Sequence, residues 1–192
     1  MKRDIVEEIR KFVEDECKKP TSKYGYLPYK EHFIPMHNYS VKLAKKLNVD
    51  LEIVELSAWL HDIGSIIDGR ENNHLTGAEI AEKKLRKLGY PLEKIKKVKK
   101  CILNHRGSKD HHRESIEEQI IAEADAINAF DRIDGLFEAA FVWEKLDRYE
   151  AKKSIINKLN NKWNQISLPE SKEIVKPKYE AVMLLLNPSK IK

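Results

Sequence analysis

An all-α, single-domain helical bundle is what this 192-residue sequence predicts, on three observations. Seven Gly and seven Pro amount to about 7% of the chain where average usage is about 12%, so turns are few and the elements between them are long. Apolar residues recur at three-to-four spacing in segment after segment. No segment alternates in the period of two, with β-branched enrichment, that would mark a strand.

The elements follow in order. Ile5, Ile9, Phe12, Val13 and Cys17 share one stripe, and Lys18-Lys19-Pro20 supplies a basic last turn and a proline stop, which predicts a helix over 3–19. Thr21 to Pro35 carries Gly25 and Tyr24, Tyr26 and Tyr29, and reads as an ordered connection packed by its aromatics. His32 falls there, read as a loop histidine that could line a pocket mouth. Further helices are predicted over 36–48, 51–62, 72–88, 92–105, 115–129, 131–146, 148–165 and 177–187, with Ser115 and Glu118 as a capping box and 168–176 as a late loop. The domain reading is one unit, 1–192, with a core at 32–135, an N-terminal helix and connection at 1–31, and packing helices at 136–192.

Charge and cysteine content narrow the function classes. The 36 Lys+Arg exceed the 31 Asp+Glu by five. No apolar run reaches the ~18 to 20 residues that cross a bilayer, and the first eight residues lack a signal-peptide core, so a cytoplasmic protein without a membrane partner is expected. Cys17 and Cys101 form no CxxC and sit in helical stripes, as small core residues do. Lys94, Lys96, Lys97, Lys99 and Lys100 suggest nucleic acid, but Ile95, Val98 and Ile102 mark the opposite apolar face, so the lysines are read as a solvated surface. No nucleic-acid partner is expected. The helices after 136 could close a pocket or bury against a second copy of the chain.

The chemistry concentrates elsewhere. Residues 53–60 are apolar around most of the helix and lead into His61-Asp62-Ile63-Gly64, and a carboxylate at the end of a buried helix needs a partner. His37 shares a stripe with Val41 and Ala44. His105 continues that of Ile95, Val98 and Ile102. Asp125 lies among Ala122, Ala124 and Ala126. Several inward imidazoles and carboxylates become compatible through a divalent cation, which predicts a metal centre.

His37, then His61-Asp62-Ile63-Gly64, then Ala124-Asp125-Ala126 resembles the HD superfamily of metal-dependent phosphohydrolases over about residues 32 to 135. The resemblance implies an all-α core in which His37, His61, Asp62 and Asp125 hold one divalent ion (Fe, Mn, Ni, Co, Zn or Mg). Asp62 could bridge a second ion, with His74 and His105 as the candidates to complete its site. The chain departs from many relatives at Asn73, where they carry the first extra histidine four residues before the glycine; His74 stands three before Gly77. The implied activity is hydrolysis of a phosphate monoester or diester, a nucleotide among them, by a metal-activated water, with His61 and Asp62 catalytic. Arg106, Lys109 and Arg113 are the candidates to meet a small substrate's phosphate, and His111-His112 beside them is read as exposed. The alternatives are a di-iron oxygenase of the same scaffold and a noncatalytic domain that binds metal or nucleotide.

Overall fold

The computed structural model describes residues 4–106 and 113–186, and among these all regular structure is helical, with no strand. The chain divides into two compact units, Met1–Ala124 and Asp125–Lys192.

In the first unit, α1 (Ile5–Lys18) starts at Asp4, whose side chain accepts the Glu7 N–H at 3.1 Å. Its stripe Ile9, Val13 and Cys17 is fully buried. The 21–35 connection ends in a way the sequence reading does not anticipate: Tyr29–Phe33 forms a π-helical turn that runs directly into α2 (Ile34–Leu47). Pro35 has no N–H for the carbonyl four residues back, and the wider turn, in which the Ile34 N–H reaches the Tyr29 carbonyl, carries the helix past it. Asn48 closes α2 in the left-handed region at φ 53°. Asp50 caps α3 (Leu51–Leu60), accepting the Ile53 N–H at 3.3 Å. His61 and Asp62 form the turn into α4 (Ile63–Ile67), and α5 (Asn73–Lys87) and α6 (Leu92–Asn104) follow.

The apolar face of α6 is buried at Ile95, Val98 and Ile102, as its spacing predicts. Its lysines are largely neutralised: Lys94 meets Glu52 at 2.8 Å, Lys96 meets Glu93 at 2.9 Å, Lys100 meets Glu114 at 2.5 Å, and Lys99 pairs with Glu82. Both cysteines are free and buried, and desolvation pushes each thiol up to about 12.

Helix α7 (Ile116–Asn128) holds residues of both units and starts at Ser115, which makes the N-cap half of the expected capping box. The Glu118 N–H donates to Ser115 Oγ at 3.2 Å, and the Glu118 carboxylate accepts from the Ser115 hydroxyl at 3.2 Å and from the Glu114 N–H. In the second unit the predicted 131–146 helix is shorter, α8 (Ile133–Glu138) followed by a π-helical turn at Ala139–Trp143. Helix α9 (Arg148–Gln165) has a capping box of Asp147 and Glu150. The predicted loop at 168–176 is instead the first half of α10 (Pro169–Leu186). Pro169 occupies the first helical position, where no donor is needed, and burial of Ser171, Val175 and Val182 on one face carries the helix through Pro177. No helix among the described residues is long and apolar enough to cross a membrane.

Candidate metal centre

Helix α3 is buried nearly all round, with Ile53, Val54, Leu56, Ala58 and Leu60 inaccessible to solvent. It therefore delivers His61, at its C-terminus, into the interior. The His61 Nδ1 lies 2.8 Å from the Ala58 carbonyl, which can only accept, so the ring proton is on Nδ1 and the neutral ring carries its lone pair on Nε2. His105, at the end of α6, is arranged alike, with Nδ1 donating to the Ile102 carbonyl at 2.6 Å. Backbone carbonyls one turn upstream thus aim the two Nε2 atoms.

Three donor atoms converge. His32 Nε2 lies 2.9 Å from His61 Nε2 and 3.5 Å from Asp62 Oδ2, and His61 Nε2 lies 3.9 Å from the same oxygen. Two ligands on bonds of about 2.1 Å stand about 3.0 Å apart at right angles and about 3.4 Å apart at the tetrahedral angle, so the triangle has the size of one face of a coordination shell. Burial works to raise the pKa of Asp62, but the imidazoles of His105, His32 and His61 that face its two oxygens outweigh it and hold the carboxyl well below its usual range. An ionised carboxylate with two imidazole nitrogens fits a divalent transition metal or zinc.

His37 is not a member of this group. Its ring stacks on Trp59 with centroids 4.6 Å apart, and its Nε2 lies 3.3 Å from Glu55 Oε1. Burial lowers its pKa, with Glu55 opposing. The inward stripe that marks His37 in the sequence is real; the π-helical turn that brings His32 in leaves no such mark, because Pro35 reads as a helix boundary.

The other expected residues have partners of their own. His105 packs edge-on against His61 at 5.2 Å, and its Nε2 is 3.7 Å from Asp62 Oδ1. His74 Nδ1 lies 3.3 Å from an Arg106 nitrogen, and since a guanidinium only donates, this Nδ1 accepts and the neutral ring carries its proton on Nε2. The same guanidinium donates to the carbonyls of Glu71 at 3.3 Å and Arg70 at 3.2 Å. Arg113 donates to the carbonyls of Asn104 at 3.1 Å and Arg106 at 3.2 Å. Both arginines fasten backbone in this structure. Lys109 and His111-His112 lie outside the described residues. Asp125, in the second unit, accepts from Lys162 Nζ at 2.6 Å.

Asn73, which the sequence marks as a departure from relatives that carry a histidine there, is a neighbour of the centre. Its Nδ2 donates to Asp62 Oδ1 and lies 2.8 Å from Ser65 Oγ. Gly64 makes that approach possible: a Cβ there would stand 2.2 Å from the Asn73 carbonyl oxygen and 2.7 Å from the Gly77 nitrogen, a clash of backbone against backbone. Glycine at both positions lets α4 and α5 meet closely enough for Asn73 to reach Asp62.

The described fold has wide company. YpgQ from Bacillus subtilis, solved in complex with ADP, is 20% identical, with a TM-score of 0.68 and 96% of each chain covered. An HD-superfamily hydrolase from Bacillus thuringiensis is 16% identical, with a TM-score of 0.72 over all of both chains. A protein from Lactobacillus plantarum is 16% identical at a TM-score of 0.75, with 99% of this chain and 97% of its own covered. At such identities these likenesses speak for the fold. No curated protein matches the chain. The HD domain family pattern matches residues 29–129, more than half of the sequence, starting in the turn that holds His32 and running through His61-Asp62, and by that match the chain belongs to the HD domain family.

Proposed function

We propose that this protein is a divalent-metal-dependent phosphohydrolase acting on a phosphate monoester or phosphodiester, with a nucleotide as the favoured class. The observation that carries the proposal is the triangle of His32 Nε2, His61 Nε2 and Asp62 Oδ2, three donor atoms within 4.8 Å of one another. Family membership supports it. So do the hydrolase names of the relatives from Bacillus thuringiensis and an uncultured Thermotogales bacterium, and the ADP held by YpgQ lends weight to a nucleotide.

The ion, when bound, supplies Lewis acidity, polarising a phosphoryl oxygen and acidifying water. The chain's own groups prepare its place. The Ala58 carbonyl holds the proton of His61 on Nδ1, so the lone pair on Nε2 needs no tautomer change before binding. Asp62, whose carboxyl is held well below its usual range, offers an ionised oxygen. Lys109, Arg106 and Arg113 are proposed to meet the substrate's phosphate on the strength of their place in the sequence after His105; for both arginines this adds to their hold on backbone carbonyls. The oxygenase alternative requires His74 as a metal ligand, and the accepting Nδ1 beside Arg106 weighs against that.

The deciding experiment is hydrolysis of p-nitrophenyl phosphate, bis-p-nitrophenyl phosphate and a nucleotide panel by protein loaded with Mn2+, Co2+ or Zn2+. Asp62→Ala is expected to lower kcat by more than about a hundredfold, since disturbing even the partners of metal ligands costs 10- to 100-fold. Turnover that persists undiminished in metal-loaded Asp62→Ala protein would overturn the assignment.

A further inference from the structure

We propose that Asn73 is a positioning residue that commits one oxygen of Asp62 to the protein and leaves the other to a single metal ion, an inference that rests on the metal reading above. The two oxygens of Asp62 sit in different surroundings. Oδ2 faces the Nε2 atoms of His32 and His61 at 3.5 and 3.9 Å. Oδ1 faces His105 Nε2 at 3.7 Å and accepts from Asn73 Nδ2 and from the Ser65 hydroxyl at 3.3 Å, and Ser65 Oγ lies 2.8 Å from the same Asn73 nitrogen. Carboxylate, hydroxyl and amide thus close a triangle in which both amide hydrogens are spent: one on Oδ1, one on Ser65 Oγ.

The orientation of the amide is dictated by its neighbour. Asn73 is buried, and turning it over would set its carbonyl oxygen against Asp62 Oδ1, one acceptor against another. The amide keeps its N–H groups on Asp62 even though its own oxygen has no hydrogen-bond partner among the described residues. A donor held against Oδ1 occupies the lone pair with which Asp62 would bridge to a second cation. Of the two histidines that could complete a second site, His74 has its Nδ1 accepting from Arg106 and its proton on Nε2, and His105 faces the same Oδ1 that Asn73 and Ser65 occupy. Close contact between α4 and α5 at Gly64 holds Asn73 in this place. The centre is therefore built for one ion, and the side chain at 73 sets that number.

The test is titration of metal-free protein with Co2+, read by visible absorption and by metal-to-protein ratio after gel filtration. The wild type is expected to bind one ion per chain. Asn73→Ala is expected to raise the Co2+ Kd about 10- to 100-fold and to shift the visible bands, as the freed carboxylate changes its mode of coordination. Asn73→Asp keeps the shape and replaces the donor by an acceptor; it is expected to bind a second Co2+. That variant carries the test alone if Asn73→Ala loses its far-ultraviolet helical signal. Two ions in the wild type would overturn the inference, as would unchanged Kd, bands and ratio in both variants. A wild type that binds no Co2+ would overturn the metal reading and this inference with it, whereas one ion that neither substitution disturbs would overturn the inference alone.

Discussion

His32 and His37 lie five residues apart and meet different chemistry. His32 comes off a π-helical turn and points its Nε2 at His61; His37, on α2, stacks on Trp59 and faces Glu55. Helical periodicity in the sequence identifies His37 as inward because its stripe continues through Val41 and Ala44, and inward it is. An inward face is not a destination, however, and which ring reaches His61 depends on the widened turn forced by Pro35. The two residues therefore separate cleanly by experiment. His32→Ala is expected to strip bound metal, seen as a Kd raised by more than about tenfold in a Co2+ titration, with the apo-protein melting temperature nearly unchanged. His37→Ala is expected to leave metal affinity within about threefold and to lower stability by roughly 1 to 2 kcal/mol through the lost stacking on Trp59. The reverse pattern would make His37 the ligand.

Among the elements, the contact of α4 with α5 governs the centre. Gly64 belongs to the four-residue motif His61-Asp62-Ile63-Gly64, and the clash its Cβ would meet is with main-chain atoms of residues 73 and 77, which have no flexible end to swing aside. Gly64→Ala is expected to destabilise the protein by at least about 3 kcal/mol, beyond the usual range for overpacking, and to weaken metal binding in whatever fraction stays folded. Chemical denaturation and Co2+ titration of the same sample check both halves; a loss below about 1 kcal/mol would mean that α5 can retreat without consequence. Prolines mislead a reading of the sequence twice at this scale. Pro35 and Pro177 each sit inside helical stretches rather than between them, because a π turn in one case and a buried face in the other compensate for the missing N–H. Cap residues are legible where prolines are not: Ser115 with Glu118 satisfies donors at the start of α7 through purely local contacts.

At the scale of the whole molecule, metal binding and folding are linked. The three donors come from two helical turns and the end of α3, and only the folded chain assembles them. A saturating metal is thus expected to raise the melting temperature, with about 2.7 kcal/mol of added stability at a free concentration of 100 Kd, and a chelator should reverse it. Imidazole and carboxylate must both be deprotonated to bind, so the increment is expected to shrink as pH falls. Differential scanning fluorimetry with and without Co2+ across pH 5 to 8 reads this directly; a melting temperature indifferent to metal at every pH would count against a built centre. Four lysines of α6, Lys94, Lys96, Lys99 and Lys100, are each held by a carboxylate and so add nothing to the mild basic excess.

By itself the sequence determined the helical class, most helix starts, the burial of the two cysteines, the His61-Asp62 pair at the end of an apolar helix, and membership of the HD domain family. These are properties of local periodicity, local caps and a contiguous motif, each contained within a turn or two of chain. Only the tertiary structure decided that His32 meets His61, that Asn73 holds Asp62, and that Arg106 and Arg113 fasten carbonyls. Periodicity tells which side of a helix is buried. Which buried groups then touch is set by how closely the helices approach, and at this centre that distance is set by two glycines and one displaced proline turn.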